Sequence, residues 1–332
     1  MATARLSGDV LVTWPDYDAD AAALGGALIG AGHRLRLAPK RGARSPGEMR
    51  ALVTSAVAAI VSTDPLDAEV FAASPGLRVV ARVGVGTDSI DLVAATAHGV
   101  VVTVTPGANE STVADHTVAL MLAVLRRVCA CDADVRAGGW NRTGAHTPSL
   151  LSGATVGLIG YGRIGRLVAR RLSGFDTRIV FCDPVAQDDG GATKVDLATL
   201  MAESDVVSVH TPLTSESRGL IGTAELAASR RGAVLINTSR GDVVDEAALV
   251  AALRSGRLRG AGIDVFAHEP PGGSSLLELP NVVLSPHIAG LSDRSVAEMT
   301  RRATASVVDV LAGRRPPDVA NPGVLDDLGL DG

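Results

Sequence analysis

The stretch Val156-Gly157-Leu158-Ile159-Gly160-Tyr161-Gly162-Arg163-Ile164-Gly165-Arg166 decides the fold of this chain. Its first residues, 156–159, form a short apolar run that predicts a buried strand, and apolar residues recur at helical spacing after the last glycine. Gly160 permits a sharp turn, Gly162 lets a pyrophosphate approach the backbone, and Gly165 lets the helix pack against the strand. Strand, glycine turn and helix in this order predict a dinucleotide-binding βαβ unit whose helix N-terminus faces the phosphates.

An acidic residue stands where such a unit would hold the adenosine ribose. The apolar run Arg178-Ile179-Val180-Phe181-Cys182 predicts a second strand, and Asp183 follows it, about twenty residues beyond the glycines. A carboxylate there accepts hydrogen bonds from the ribose hydroxyls and repels a 2′-phosphate. We therefore predict NAD, rather than NADP, as the cofactor.

Composition limits the classes of protein to which the chain can belong. Its 332 residues are too many for one average domain, so two domains are expected. Apolar residues make up 46% and aromatic residues only 2%, so the cores must be built from Val, Leu, Ile and Ala. The net charge is −5 with scattered basic residues, which argues against a nucleic-acid partner. No apolar stretch is long enough to span a bilayer, so no membrane partner is expected.

The N-terminus and the cysteines point to a reducing compartment. Residues 1–12 carry no long apolar segment after a basic start, so we expect no signal peptide and a cytoplasmic location. The three cysteines, Cys129, Cys131 and Cys182, cannot form a disulfide framework. Cys129 and Cys131 lie two apart in a helical pattern and point away from each other, so no metal site is predicted.

The first third of the chain alternates β-rich runs with Ala/Leu-rich helical stretches, and it carries no phosphate fingerprint. Five strands separated by helices predict a parallel, doubly wound, flavodoxin-like domain. The predicted strands are 10–12, 35–37, 59–61, 79–81 and 100–104, and the predicted helices are 19–32, 46–57, 65–73 and 90–98.

Thr105-Pro106-Gly107 breaks this pattern and predicts a domain crossing. One long helix is expected over residues 110–137, and its broad apolar face fits either a core helix or a subunit contact. A last helix at 292–311 is expected to cross back to the first domain. We therefore predict a discontinuous substrate domain (residues 1–104 and 292–332) and a second, dinucleotide-binding Rossmann domain (residues 105–291), both doubly wound α/β structures.

Polar residues follow three predicted strands of the second domain, at the sheet edge where open α/β sheets bind ligands. In the first loop, Asn237-Thr238-Ser239-Arg240-Gly241, an arginine just past a buried strand can hold a substrate carboxylate in a two-point fork. The alternative is a surface arginine that pairs with Asp242 or Asp245. The sequence leaves the two open.

The other two loops contain a glutamate and a histidine that could act together. They read Asp264-Val265-Phe266-Ala267-His268-Glu269-Pro270-Pro271 and Ser285-Pro286-His287-Ile288-Ala289-Gly290. A carboxylate beside an imidazole orients the ring and favours its protonated form, so the ring can exchange a proton near neutral pH. His268 must point elsewhere and is expected to be solvated, while His210 is expected to be structural or to lie on the cofactor side. The remaining histidines are not predicted to belong to any group of catalytic or ligand-binding residues; they are His33, His98, His116 and His146.

From about Val10 to Leu311 the chain resembles the D-isomer-specific 2-hydroxyacid dehydrogenases. Four motifs carry this resemblance, in this order: the glycine fingerprint, Thr-Ser-Arg-Gly, Asp-Val-Phe-x-x-Glu-Pro-Pro and Ser-Pro-His-x-x-Gly. The resemblance implies hydride transfer between NAD and a small 2-hydroxyacid or 2-oxoacid, with His287 as proton donor and acceptor, Glu269 as its partner and Arg240 as carboxylate anchor. It further implies a homodimer built on the long helix. Implied substrate contacts are Val83, Gly84 and Arg240, and implied cofactor contacts are Val85, Gly160, Gly162, Arg163, Ile164, Gly165, Asp183, Thr211, Thr238, Ser239, Asp264 and Gly290.

Departures from relatives narrow the expected activity. Phosphoglycerate dehydrogenases usually carry Val-Arg-Ser where this chain has Val61-Ser62-Thr63, so the loss of that arginine argues against a phosphorylated substrate. The chain ends at Gly332, so the regulatory domain that some of those enzymes append is not expected. Formate dehydrogenases use Gln where Glu269 stands. The alternative to an enzyme is an NAD(H)-sensing corepressor-like interaction protein, and the intact Arg240, Glu269 and His287 argue against it.

Overall fold

A computed structural model of the chain describes residues 8–17, 25–40, 42–144 and 147–330. His146 and the first part of the helix predicted at 19–32 lie outside the described residues. The chain divides into two compact units, Met1–Asn109 with Ser292–Gly332 and Glu110–Leu291. Along the described ranges, no helix combines the length and the apolar character needed to cross a membrane.

The first unit holds a five-stranded parallel sheet. Its strands are β1 (Asp9–Val12), β2 (Arg34–Leu37), β3 (Ala56–Val61), β4 (Val79–Arg82) and β5 (Val101–Thr103), and the helices between them are α1 (Gly25–Gly30), α2 (Pro46–Val53), α3 (Ala68–Ala72) and α4 (Leu92–Ala97). The strand order β2-β1-β3-β4-β5 is the flavodoxin-like order. The fold class predicted for this domain is confirmed.

The predicted end of the helix at 46–57 is wrong, because α2 ends at Val53. Ala56 and Ala58 instead belong to β3, where they pair with Asp9 and Val10 of β1 and are almost fully buried. Alanine favours helices in isolation, so strand pairing and burial overrode the local preference here.

The single helix predicted at 110–137 is also wrong. It is two helices, α5 (Glu110–Leu125) and α6 (Val128–Arg136), because Arg127 adopts a left-handed backbone with φ of 55°. The apolar face of α5 packs into the core of its own unit, whereas α6 buries none of its side chains in the described structure. The core-helix interpretation therefore holds for α5, and the homodimer stays a prediction.

The second unit holds a seven-stranded parallel sheet. Its elements are β6 (Thr155–Ile159), α7 (Arg163–Leu172), β7 (Arg178–Cys182), β8 (Thr193–Lys194), α8 (Leu197–Glu203), β9 (Val206–Val209), α9 (Thr223–Ala228), β10 (Ala233–Asn237), α10 (Glu246–Arg254), β11 (Leu258–Ile263) and β12 (Val282–Leu284). The order β12-β11-β10-β9-β6-β7-β8 is the Rossmann order with one more strand added at the β11 edge. The predicted Rossmann domain is confirmed, although the short strand β8 was not predicted.

The last long helix, α11 (Asp293–Leu311), returns to the first unit and is followed by the short α12 (Leu325–Leu328). Ser292 caps α11, and Met299, Ala303 and Val307 bury in the core formed with the first sheet. The first unit includes the chain up to Asn109, and the domain boundary at residue 104 stays a prediction. Because Thr105 N–H donates to Gly84 O (2.9 Å), the predicted crossing segment still belongs to the first unit.

Candidate functional site

The glycine fingerprint lies between β6 and α7. Gly160 has a φ of 93°, a left-handed conformation that favours glycine. A side chain here would also place its Cβ 2.7 Å from the carbonyl oxygen of His210. Gly165 packs against the carbonyl oxygen of Gly160 and leaves no room for a Cβ. These two glycines therefore let the turn close and the helix approach the strand.

Gly162 plays the third part of the fingerprint. It is the N-cap of α7 in extended backbone, and no side chain of the described residues caps the helix from this position. No described heavy atom lies within 4 Å of the position that a Cβ at Gly162 would take. A ligand can therefore approach the backbone at Gly162, beside the N-terminus of α7, where a helix favours a phosphate. Arg163 and Ile164 are the first residues of the helix, and Arg163 Nη1 lies 3.7 Å from Glu110 Oε1.

Asp183 follows β7 beside the fingerprint. Its Oδ2 accepts a hydrogen bond from Tyr161 N–H (2.8 Å), and its Oδ1 accepts from Val185 N–H (2.8 Å) and Ala186 N–H (2.7 Å). Partial burial raises the pKa of this carboxyl, but the three backbone donors outweigh it and hold the pKa below its ordinary value. Because each carboxylate oxygen can accept more than one bond, the ionised group can still bind hydroxyls.

The loop that carries Arg240 is folded around one buried amide. Asn237 ends β10, its Nδ2 donates to Arg240 O (2.8 Å), and its Oδ1 accepts from Ser239 N–H (3.0 Å) and Ser239 Oγ (2.9 Å). Arg240 Nη1 donates to Ser239 O (2.7 Å). Asn237 was not singled out from the sequence, although a buried amide at the end of an apolar strand is a usable signal.

The alternative partners considered for Arg240 are engaged elsewhere. Asp242 pairs with Arg218, and Asp245 caps α10 by accepting from Ala248 N–H (3.0 Å). Gly241 packs so tightly on the backbone of Phe266 that a Cβ would overlap it. The Arg240 loop and the loop after β11 are therefore in direct contact.

Glu269 and His287 meet on loops that follow neighbouring strands. Strands β11 and β12 pair in parallel, so both loops leave the same edge of the sheet. Glu269 Oε2 lies 2.7 Å from His287 Nδ1, and Glu269 Oε1 accepts a hydrogen bond from Phe266 N–H (3.1 Å). Both side chains remain about one third exposed, at 34% and 33%. The predicted pairing geometry is therefore present in the structure.

Asp264 lies beneath the loop that carries His287. Its carbonyl oxygen accepts from His287 N–H (2.8 Å), and its carboxylate accepts from Ser285 Oγ (2.6 Å), Ile288 N–H (3.0 Å) and Ala289 N–H (2.8 Å). Complete burial raises the pKa of Asp264, but its hydrogen bonds outweigh this and lower it. The carboxylate thus fixes a loop in which His287 itself has a left-handed φ of 53°. Its predicted cofactor contact stays a prediction.

His116 was not predicted to belong to any group of catalytic or ligand-binding residues, and this prediction was wrong. Its Nε2 lies 2.9 Å from Ser285 Oγ and 3.5 Å from Asp264 Oδ1, so it joins the group under the His287 loop. No local pattern could signal this contact, because α5 is far from this loop along the chain. His268 is exposed, whereas desolvation lowers the pKa of His210 to about 4, so that ring is neutral at pH 7. A neutral ring is compatible with either role expected for His210, structural or on the cofactor side, and that expectation stays a prediction.

The other predicted contacts are spread over both units and stay predictions. Thr238 is nearly buried, with Oγ1 2.9 Å from Thr117 Oγ1. In the first unit Val83 is buried, and Val85 is exposed. Three further positions, Thr211, Ser239 and Gly290, are partly exposed in loops after strands. Over the described ranges, no group of three or more His, Cys, Asp and Glu residues could hold a metal ion.

Comparisons with known proteins agree with this geometry. Residues 118–289 match the sequence model of the "D-isomer specific 2-hydroxyacid dehydrogenase, NAD binding domain". The glyoxylate reductase of Korarchaeum cryptofilum is 44% identical over 79% of this chain and 82% of its own length. The D-3-phosphoglycerate dehydrogenase of Mycobacterium leprae is 42% identical over 82% of this chain and 53% of its own.

Among solved structures, the TT0316 protein from Thermus thermophilus is similar, with a TM-score of 0.86 and 39% identity over 94% of this chain and 99% of that one. The family match covers the glycine fingerprint, Asp183, Arg240 and the Glu269–His287 pair. The prediction of NAD as cofactor is confirmed by the description of the matched domain. The chain belongs to the D-isomer specific 2-hydroxyacid dehydrogenases and is an NAD-dependent oxidoreductase.

Proposed function

We propose that this enzyme interconverts a small D-2-hydroxyacid and its 2-oxoacid, with His287 as the acid and base, Glu269 as its partner and Arg240 as the anchor of the substrate carboxylate and carbonyl. The observation that carries the proposal is the 2.7 Å approach of Glu269 Oε2 to His287 Nδ1. An imidazole oriented in this way by a carboxylate is suited to give and take a proton during the reaction.

The arrangement of the three loops supports the assigned roles. They follow β10, β11 and β12, which are consecutive neighbours in the sheet. Arg240 therefore lies at the same edge as the acid–base pair, where a guanidinium can bind a carboxylate through two parallel hydrogen bonds. A cation near the carbonyl also stabilises the negative charge that develops on its oxygen.

The fingerprint residues fit the dinucleotide. The open N-terminus of α7 at Gly162 suits the pyrophosphate, with Arg163 and Ile164 following it, and the ionised Asp183 suits the ribose hydroxyls. Bound NADH supplies the hydride for reduction of the carbonyl. His287 then donates its proton to the carbonyl oxygen, and Glu269 stabilises the ring while it is charged. In the oxidative direction neutral His287 takes the hydroxyl proton.

We further propose that the substrate is not phosphorylated. Ser62 follows β3, and its hydroxyl lies 3.3 Å from Arg82 Nη1. Arg82 also donates to Gly86 O (3.0 Å) and Val83 O (2.6 Å), so it supports its own loop. Arg44 forms a buried pair at 2.9 Å with Asp64, whose Oδ2 also accepts from Ser62 N–H (3.3 Å). Both arginines beside Ser62 are thus engaged by the chain itself.

A panel of 2-oxoacids tests the proposal. Oxidation of NADH is followed with glyoxylate, hydroxypyruvate, pyruvate, phosphohydroxypyruvate and bulkier 2-oxoacids. We expect turnover with at least one small unphosphorylated acid and little with phosphohydroxypyruvate. Failure with every acid, in a protein that still binds NADH, would overturn the catalytic proposal and favour a nucleotide-sensing role. A preference for the phosphorylated acid would overturn only the substrate assignment.

A further inference from the structure

The fingerprint tyrosine connects two aspartates of the loop after β7. Tyr161 N–H donates to Asp183 Oδ2 (2.8 Å), while Tyr161 Oη donates to Asp189 Oδ1 (3.1 Å) and Oδ2 (3.0 Å). The ring is fixed because it stacks on Phe181 at 4.1 Å between centroids. Asp189 is therefore bound to the same residue that positions the ribose-side carboxylate.

Asp189 also holds a cation of the fingerprint helix. Arg166, on the first turns of α7, forms an ion pair with the Asp189 carboxylate, and its guanidinium carbon lies 4.5 Å from the centroid of the Tyr161 ring. The guanidinium is thus clamped between a carboxylate and an aromatic face, an arrangement that favours a planar cation. Burial and the charge of Asp189 raise the pKa of Tyr161 to about 12, so its hydroxyl remains a donor.

A second cation near Asp183 is engaged in the same loop. Lys194 is linked to Asp183 through Ala186, whose N–H donates to Asp183 Oδ1 (2.7 Å). Lys194 Nζ donates to Ala186 O (2.8 Å), and its own N–H donates to Asp188 Oδ1 (2.7 Å). Arg166 and Lys194 both carry the charge that a 2′-phosphate would need, and both are bound by groups of this loop.

Discrimination against a 2′-phosphate depends on two terms, repulsion by a carboxylate and the supply of a compensating cation. Asp183 provides the repulsion. We propose that Asp189 is a second determinant of cofactor choice, because it holds the Arg166 guanidinium on Tyr161 and so withholds that cation from a 2′-phosphate. The inference rests on the proposed binding of the adenosine ribose beside Asp183.

Binding of fragments tests the proposal without catalysis. The Kd of ADP-ribose and of 2′-phospho-ADP-ribose is measured by calorimetry for wild type, Asp183→Ser, Asp189→Asn and the double variant. We expect Asp183→Ser alone to reduce the preference for ADP-ribose, and the added Asp189→Asn to favour the phosphorylated probe by about a further tenfold. Adding Arg166→Gln to the double variant should abolish that further gain, and added KCl should diminish it.

A matched control removes a carboxylate at the opposite end of β7. Glu203 pairs with Arg178, the first residue of β7, so Glu203→Gln changes the net charge equally but away from Asp183. In the Asp183→Ser background it should leave the ratio of the two Kd values unchanged. If Asp189→Asn unfolds the protein, as judged by Tm, Asp189→Ser replaces it.

The outcomes separate the two proposals. If wild type does not bind ADP-ribose, the proposed cofactor site fails, and this inference fails with it. If ADP-ribose binds, three results would overturn only the role of Asp189. The first two are that Asp189→Asn leaves the ratio of the two Kd values unchanged, or weakens the binding of both probes equally. The third is that Asp189→Asn still changes this ratio after Arg166→Gln has been added.

Discussion

Glu269 Oε2 lies 2.7 Å from His287 Nδ1, although the two residues are 18 positions apart in the chain. They meet because β11 and β12 are parallel neighbours and each residue lies in the loop that follows one of these strands. The loop of His287 is fixed in turn by Asp264, which lies fully buried beneath it. The orientation of the imidazole is thus set both by its carboxylate partner and by its backbone.

We expect His287→Asn to lower kcat by about 10²–10⁴-fold while NADH binding is largely kept, because a general acid–base group contributes about that much. Asparagine suits the test because it tolerates the left-handed backbone of this position. Stopped-flow and steady-state kinetics measure the loss, and fluorescence titration measures NADH binding. His268→Asn, at an exposed neighbour of Glu269, is the control and should turn over normally. A near-normal kcat in His287→Asn would remove this residue from the mechanism.

Glu269→Gln should lower kcat/KM in both directions. The Glu269 carboxylate contacts His287 Nδ1 at 2.7 Å, so it orients the ring and offsets the positive charge that the ring carries when both of its nitrogens are protonated. The amide of Gln carries no charge, and steady-state kinetics with the 2-oxoacid and with the 2-hydroxyacid measure the loss. If Glu269 served only to hold its own turn, for example through Phe266 N–H, Tm would change while kcat/KM in both directions stayed the same.

Asp264→Asn should destabilise the protein in a pH-dependent manner. The folded pKa of Asp264 lies below its ordinary value of 3.8, so its stabilisation is present above that pH and is lost as pH falls through the folded pKa. Unfolding by urea measures the free energy of unfolding, which we expect to be about 1–3 kcal/mol lower in the variant than in wild type at pH 7. This difference between the two proteins should become smaller as the pH is lowered through about 4. Asp132→Asn, at an exposed helical pair with Arg136, should show almost no loss. A loss independent of pH would contradict this account.

Gly241→Ala should cost stability because its Cβ would overlap the backbone of Phe266 and Ala267. Backbone atoms cannot move aside as a flexible side chain can, so we expect a cost of about 1–3 kcal/mol and a raised KM for the 2-oxoacid from displacement of Arg240. Gly272→Ala is the matched control, since no described heavy atom lies within 4 Å of its Cβ position. Equal effects of the two substitutions on Tm and KM would show that close packing at Gly241 is not the cause.

The sequence was sufficient for the parts of the molecule that depend on local pattern. The fingerprint glycines could be assigned because a βαβ unit needs a particular backbone at each of them, and the pairing of Glu269 with His287 followed from the order of strands and loops. The family resemblance implied their roles. Both fold classes followed from the alternation of strands and helices.

What could not be predicted depends on contacts distant in the chain or on a single backbone angle. Apolar spacing continues through the break between α5 and α6, so only the φ of Arg127 reveals it. His116 reaches Ser285 across 169 positions, and no spacing rule covers such a contact. The capture of Arg166 by Asp189 likewise depends on how the loop after β7 folds back.

The position of β12 has a consequence for how this enzyme would lose activity. It is a three-residue strand at the edge of the sheet, hydrogen-bonded on one side to β11, and its side chains are only partly buried. Edge segments with little buried surface open at a lower free energy than the central strands. Amide hydrogen exchange at Val283 and Leu284 should therefore be faster than at Leu235 and Ile236 in β10. On heating, the enzyme would lose the proposed proton donor, His287, through this local opening while most of its secondary structure still gives a native circular dichroism signal.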